Sequence, residues 1–272
     1  MDIIQDLLKK VKQNKKYSGV SDEIIIPEII SYLTKNKITK ITKNDIKEIR
    51  SRLHKSYASF QTKKKNKISN YLDDLKVNPD NLEITNKLLE VTLSTKERLN
   101  NYEYIYNEIF KITGRPKTIL DLGSGLNIFS YPYMDLSKVE YYSYDINETD
   151  MKYLNEYYKI MKNEGLSGEA AILDLKNLSK ISYLPFADIV FLFKTIDVID
   201  KDSHKPSEEL ISQLFNKNKT KYIVASFATK TLTRKQMNFP NRKWFELMLE
   251  RNNFKFQILN TDNEIFYVVY KV

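Results

Sequence analysis

The chain has 272 residues, with 44 Lys and Arg against 35 Asp and Glu, a net charge of +9 and no cysteine. A hydrophobic share of 42% supports a real core and excludes global disorder. The lack of cysteine removes disulfides, thiolate nucleophiles, Fe–S clusters and cysteine zinc sites, and two histidines do not make a His-rich metal site, so no metal is expected.

The charge is uneven: residues 1–117 carry 24 basic and 15 acidic side chains, which leaves 20 of each in the remainder. The densest runs are Lys9, Lys10, Lys12, Lys15 and Lys16, then Lys63, Lys64, Lys65 and Lys67. Two readings stay open for them: a surface that docks on a polyanion, or a solvated helical coat. The first ten residues lack an apolar signal core. Apolar runs such as Ile189 to Phe193 fall far short of the ~20 residues of a membrane helix. A cytoplasmic protein without a membrane partner is expected.

In chain order, the first part reads as helical. Ile3, Ile4, Leu7, Leu8 and Val11 recur at helical spacing. Ser21, Asp22 and Glu23 open a second helix through Ile24, Ile25, Ile29, Ile30 and Leu33, with Pro27 in its early turns. Thr42 or Asn44 caps a third, carrying Ile46, Ile49, Leu53 and Tyr57. Asn78-Pro79 marks a break, and a helix with Leu82, Ile84, Leu88 and Leu89 follows. Ser94-x-x-Glu97 has capping-box spacing ahead of Leu99, Tyr102, Ile105 and Phe110. Gly114-Arg115-Pro116 closes this half.

From Thr118 the texture changes to short apolar strands. They are Thr118–Leu122, Glu140–Asp145, Glu169–Leu173, Asp188–Phe193, Lys221–Ser226, Phe254–Leu259 and Ile265–Tyr270, with intervening segments that fit helices between the first five. This alternation predicts an α/β fold with a mostly parallel sheet. The last two strands are joined by hairpin length, which makes the final strand antiparallel.

One stretch carries chemistry. Thr118 to Leu122 runs into Asp121-Leu122-Gly123-Ser124-Gly125-Leu126-Asn127, a buried strand feeding a glycine loop. The glycines let the backbone turn tightly and approach a ligand. Asp121 adds a carboxylate at the C-terminal edge of the strand, where open α/β sheets bind ligands, and the next strand ends in Asp145, placed to reach ribose hydroxyls. The third glycine of a dinucleotide fingerprint is absent, since Ile128 stands there. A nucleoside without phosphates is therefore favoured over a pyrophosphate, and S-adenosylmethionine is such a ligand. The body resembles a class I S-adenosylmethionine-dependent methyltransferase, a Rossmann-like fold whose seven strands take the order 3-2-1-4-5-7-6.

The target is narrowed by what is missing. Methylation at cytosine C5 needs a thiolate, and there is no cysteine. Exocyclic-amine methylases carry an [Asp/Asn]-Pro-Pro-[Tyr/Phe] motif where this chain has Phe193-Lys194-Thr195-Ile196. A ring nitrogen with a free lone pair, such as guanine N7, needs no general base. Four blocks then resemble the aminoglycoside-resistance 16S rRNA guanine-N7 methyltransferases of the ArmA/RmtB type. They are Ser94-Thr95-Lys96-Glu97-Arg98-Leu99; Asp121 to Asn127 followed by Pro132; Asp188 to Lys194; and Ser226 to Leu232 followed by Trp244-Phe245-Glu246. The chain departs from that pattern at Ile128, Ala228 and Thr233 to Met237, where the substrate is held.

The resemblance implies a division into residues 1–110, a basic helical RNA-binding extension, and 111–272, the methyltransferase core. It implies a monomer acting on the decoding region of small-subunit rRNA in the 30S subunit. For the cofactor it implies Arg98 at the methionine carboxylate, Asp121, Gly123, Ser124, Gly125 and Asn127 along the methionine and ribose, Asp145 and Ile146 at the ribose, and Asp174, Leu175 and Phe193 around the adenine and the methyl end. For RNA, the charge runs and the basic residues placed beside the site single out Lys63, Lys64, Lys65, Lys67, Lys194, Lys230, Arg234, Lys235, Arg242 and Lys243, with no dedicated catalytic acid or base expected. Lys194 has a second reading, neutralising Asp121. Phe227 or Trp244 either stacks on an extruded base or packs in the core, and His54 and His204 read as surface or capping residues. Two other functions stay open: a small-molecule methyltransferase with a helical lid, and a non-catalytic RNA-binding relative.

Overall fold

In the computed structural model, described over residues 3–38, 41–53, 63–200, 203–217, 219–230, 235, 237 and 240–271, the strands are β1 (Thr118–Leu122), β2 (Val139–Asp145), β3 (Leu166–Ile172), β4 (Ile189–Phe193), β5 (Tyr222–Ala228), β6 (Phe254–Asn260) and β7 (Glu264–Lys271). They form one sheet in the order β3-β2-β1-β4-β5-β7-β6, the expected one. All neighbours from β3 to β5 run parallel, and only β7 is antiparallel to both of its neighbours. The central strands β1 and β4 are buried almost throughout, which is why they read as unbroken apolar runs. After β1 the chain moves outward to β2 and β3, then returns to the other side of β1 as β4. That reversal leaves a crevice over the C-terminal ends of these strands, where doubly wound sheets bind ligands.

The third strand begins at Leu166, three positions before the expected start. Gly168 hides the pattern: it stands at φ +120°, and a Cβ built on it falls 1.9 Å from the Tyr141 carbonyl oxygen of β2. Gly168→Ala is expected to cost on the order of 3 kcal/mol, because backbone strain and overpacking add. A lower urea midpoint at unchanged m-value would show it.

The helices sort by the core they fill. α1 (Ile3–Lys12), α2 (Asp22–Asn36) and α3 (Lys43–Leu53) make a cluster of their own around Leu7, Val11, Ile25, Ile29, Ile49 and Leu53. Thr42 opens α3 with a reciprocal box: its hydroxyl accepts the Asp45 N–H, and the Asp45 carboxylate accepts the Thr42 N–H at 2.6 Å. The expected Tyr57 position lies outside the described residues.

α4 (Ile68–Val77), α5 (Leu82–Leu89), α6 (Leu93–Arg98), α7 (Tyr102–Thr113) and α8 (Glu148–Ile160) cover one face of the sheet. Leu72, Leu88, Tyr106 and Ile109 share a core there with Ile119, Phe191 and Val224. Across the expected division at residue 110 the packing is continuous, since buried residues from Ile68 to Phe110 share one core with Ile119, Phe191 and Val224. α9 (Ile196–Ile199), α10 (Lys205–Asn216) and α11 (Lys243–Arg251) cover the other face. The expected capping box at Ser94 is also absent. Thr92 is the N-cap of α6, Thr95 turns its hydroxyl to the Leu89 and Thr92 carbonyls, and Glu97 reaches away to Lys194. Among the described residues no helix is long and apolar enough to cross a membrane.

Candidate active site

The C-terminal ends of β1 to β4 surround a cleft whose empty volume, open mouth included, is about 1150 Å³. Its floor is the turn Gly123-Ser124-Gly125. The Gly123 and Ser124 N–H groups both donate to the Tyr144 carbonyl, at 2.8 and 3.0 Å, which pins the turn to β2. Gly123 sits at φ +74°, and a Cβ there would lie 2.7 Å from Thr195 Oγ1, a hydroxyl already bonded to the Leu122 and Phe193 carbonyls. Asp145 forms the adjoining wall. Its Oδ2 accepts the Gly125 N–H at 2.9 Å and its Oδ1 accepts the Ile146 N–H at 2.7 Å, so the carboxylate edge is fixed toward the cleft. The Ser124 hydroxyl is buried in the lining and has no hydrogen-bond partner among the described residues. Such an orphan is costly unless a ligand or water meets it.

Asp121 and Asn127 do not line the cleft as expected; they lie behind it. Asp121 accepts from Tyr141 Oη at 2.6 Å and from Asn127 Nδ2 at 3.0 Å, and Asn127 Oδ1 accepts from Tyr102 Oη at 3.1 Å. This buried lattice fixes where the glycine turn leaves β1. Burial pushes the Asp121 carboxyl up to about 6, against the pull of Tyr141 and Asn127. The folded state therefore holds an extra proton between the unfolded value of 3.8 and about 6. Stability contributed by this group is full below that window and falls as pH rises through it, by about 1.4 kcal/mol for every pH unit crossed. Asp121→Asn should abolish this fall, which urea unfolding of both proteins at pH 4 to 7 would read.

A buried ion cluster closes the opposite end. Arg98 donates from Nε to both Glu264 oxygens, at 3.1 and 3.0 Å, and from Nη2 at 2.9 Å. Its guanidinium lies 4.9 Å over the Phe193 ring. Lys194, in the left-handed region at φ +56°, sends Nζ to Glu97 at 2.7 Å and to Glu264 at 3.3 Å. The Ser226 hydroxyl donates to Glu264 as well. Burial opposes the Glu264 charge, yet Arg98 and Lys194 overrule it and hold the carboxyl below its ordinary value.

A family model described as ribosomal RNA methyltransferase (FmrO) matches residues 13–268. The chain belongs to this family. It is 24% identical over 298 aligned positions, 98% of this chain and 96% of the other, to a 16S rRNA (guanine(1405)-N(7))-methyltransferase of Proteus mirabilis. It is 29% identical to the Micromonospora rosea protein of the same name, over 68% of this chain and 65% of that relative's length. Among solved structures, 16S rRNA methyltransferase RmtF in complex with S-adenosyl-L-homocysteine matches with a TM-score of 0.80 at 21% identity, covering 100% of this chain and 99% of that one. RmtB matches at 0.72 and 18%, covering 99% and 98%. These structures establish the fold, a class I methyltransferase sheet with an amino-terminal helical region.

Within this FmrO-family chain the cleft brings together Arg98, Gly123, Ser124, Gly125, Asp145, Ile146, Asp174, Leu175 and Phe193. The candidate RNA residues fare differently. Lys65 is not a free surface lysine: it lines the cleft and is paired with buried Asp150. Lys194 neutralises Glu97 and Glu264, not Asp121. Arg242 is scaffold, bonded to Asp197 and to the Ala228 and Pro240 carbonyls over the Phe227 ring. Lys67, Lys235 and Lys243 are exposed and Lys230 half-buried. Arg234, His54 and the side chains of Lys63 and Lys64 lie outside the described residues.

Phe227 is fully buried, which removes it as a base-stacking residue. Trp244 packs on that core and is covered by His204, stacked at 3.7 Å. Sequence reasoning missed Glu264, Glu97, Thr195, Asn147 and Asp150. Only Glu97 had a signal, in the family block it shares with Arg98. Among the described residues no group of three His, Asp or Glu gathers as for a metal ion.

Proposed function

We propose that this chain transfers the methyl group of S-adenosylmethionine to N7 of a guanine in the decoding region of 16S rRNA. The observation that carries the cofactor is the cleft itself: a buried, partnerless Ser124 hydroxyl beside an open glycine turn and a fixed Asp145 carboxylate. When bound, S-adenosylmethionine supplies an electrophilic methyl group to a lone pair held in line with its C–S bond. Asp145 accepts the ribose hydroxyls while keeping the Gly125 N–H. Ile146, Leu173 and Leu175 give apolar flanks for the adenine, and Asp174 meets its polar edge. Arg98, clamped by Glu264, faces the methionine carboxylate. No side chain has to take a proton, because guanine N7 attacks with an existing lone pair, and orientation is the main contribution of the protein.

The RNA part of the reading is supported by the names of the relatives and by the charge excess of residues 1–117. Exposed Lys67, Lys235 and Lys243, with Lys230, contact phosphates, which positions RNA without reading its sequence. The test is transfer of radiolabel from S-adenosylmethionine to 30S subunits, naked 16S rRNA and tRNA, followed by primer-extension mapping. Label in 30S subunits at a single guanine is expected. Label in no RNA would overturn the reading and leave the small-molecule or non-catalytic alternatives.

A further inference from the structure

The amino-terminal helical unit does more than carry positive charge: it is built into the adenosine end of the cleft. Two backbone hydrogen bonds, which together make one antiparallel bridge, stitch it there. The Ser21 N–H donates to the Ile146 carbonyl at 3.1 Å, the Glu148 N–H donates to the Gly19 carbonyl at 2.8 Å, and Val20 pairs with Asn147 as an isolated antiparallel bridge. Val20 lines the cleft from this position. Ile146 belongs to both bodies, since its side chain packs against the extension's own core of Leu7, Ile24 and Ile25 and also forms part of the cleft wall.

Gly19 approaches so closely that a Cβ on it would stand 2.8 Å from Asn147 Oδ1. That oxygen is not free to swing aside, because it caps α8 by accepting the Asp150 N–H at 3.1 Å. On the far rim, Lys176 and Lys180 follow the lining residues Asp174 and Leu175. They pair with Glu28 and Glu23 of α2, at 3.6 and 3.5 Å.

Lys65 adds a charged link. Its Nζ reaches the Asp150 carboxylate at 2.7 and 2.5 Å, and both residues line the cleft next to Asn147. The Asp150 side chain is 6% exposed. A carboxylate buried that far needs its cation, so losing Lys65 leaves an uncompensated charge at the edge of the cleft. Its place in a basic run assigns Lys65 to RNA; the geometry assigns it to the pocket.

We propose that the cofactor site is composite, completed by Val20 and Lys65 of the amino-terminal extension, so that cofactor and RNA bind cooperatively through the docking of that extension. The inference rests on the cofactor and RNA reading above and deepens it. On this proposal the α1–α3 unit exchanges between the docked arrangement seen here, stitched to Ile146 and Glu148 through Ser21 and Gly19, and a detached one. The cofactor favours the docked arrangement because only then is the wall at Val20 in place and Ile146 backed by the helices of the extension. RNA that grips a docked extension favours it too. Linkage makes the effect reciprocal: whatever factor the cofactor adds to RNA affinity, RNA adds to cofactor affinity.

The test uses the full chain and S-adenosylhomocysteine. Calorimetric titration of wild type, Lys65→Met, Lys65→Arg, Asp150→Asn and Gly19→Ala reads the composite site. Lys65→Met and Gly19→Ala should each weaken binding roughly tenfold, within the usual span of coupling between sites, and Lys65→Arg should restore most of the affinity. Lys65→Met should add little to Asp150→Asn, because the two side chains act as one pair. In a second arm, S-adenosylhomocysteine should tighten wild-type binding to 30S subunits at fixed salt by about the same factor, and the Lys65→Met protein should lose that gain.

Gly19→Ala keeps the proposal testable if Lys65→Met fails to fold. Affinities of Lys65→Met and Gly19→Ala within about twofold of wild type would overturn the composite site, as would 30S binding that ignores the cofactor. A wild type that binds no S-adenosylhomocysteine would overturn the proposed function as well, and so separates the two failures.

Discussion

Replacing Glu264 with alanine should remove about 3–5 kcal/mol of folding stability, the cost of breaking a buried ion pair from one side. Glu264 is fully buried at the start of β7, and the side chains of Arg98 and Lys194 are 3% and 10% exposed. Without the carboxylate, the Arg98 guanidinium loses all its bonds to Glu264 and Lys194 keeps only Glu97. The Ser226 hydroxyl loses its acceptor in the same step. Glu264→Gln keeps the volume and one acceptor oxygen, so its cost should fall between wild type and alanine.

The acid side gives a second readout. The Glu264 carboxyl is held below its unfolded value of 4.5. Its stabilisation is therefore full above pH 4.5 and is lost as pH falls through the lower folded value. That slope opposes the one from Asp121, and Glu264→Gln should flatten it alone. Urea unfolding of the three proteins from pH 3 to 7 checks both points. A Glu264→Ala protein within about 1 kcal/mol of wild type would mean that water reaches the cluster and screens its charges.

The parts of this chain that were legible from its sequence are those governed by local rules. β1 and β4 are sandwiched between helical layers, so they appear as short apolar runs, and Gly123 follows β1 because a Cβ at that position would run into Thr195. Asp145 was legible because the spacing from the glycine turn to the end of the next strand is set by one strand–turn–strand unit. Asp121 and Asn127 show the limit of that reasoning. Their types and spacing are those of a ligand wall, yet the pleat turns the Asp121 side chain inward to Tyr141.

The ion cluster was invisible for a different reason. Arg98 and Glu264 are 166 positions apart and meet only when β7 inserts beside β5. The same holds for Lys65, which stands 85 positions from Asp150 and looked like one more lysine in a basic run. Periodicity places a residue on a face of its own element; it carries nothing about which distant element covers that face.

Asp145→Ala should weaken S-adenosylhomocysteine binding by roughly a hundredfold or more while leaving the fold nearly intact. Hydrogen bonds to a charged acceptor contribute about 1.5–3 kcal/mol each. Two ribose hydroxyls lost together amount to at least about 3 kcal/mol, and every 1.4 kcal/mol is tenfold. The same substitution frees the Gly125 and Ile146 N–H groups from the carboxylate that now holds them. The glycine turn therefore loses its preset shape in addition to the direct contacts.

Water reaches this half-buried edge and takes the place of the carboxylate on the freed N–H groups, so the fold itself should lose about 1–2 kcal/mol, less than the two charged bonds would sum to in a dry site. Asp145→Asn retains one acceptor oxygen and should fall between the two. In turnover, kcat/KM for the cofactor should drop with the binding constant, and the KM for 30S subunits should hold at saturating cofactor. A loss smaller than about tenfold would show that the ribose is held elsewhere. In that case the turn at Gly123 to Gly125 would be a structural corner and Asp145 merely its brace.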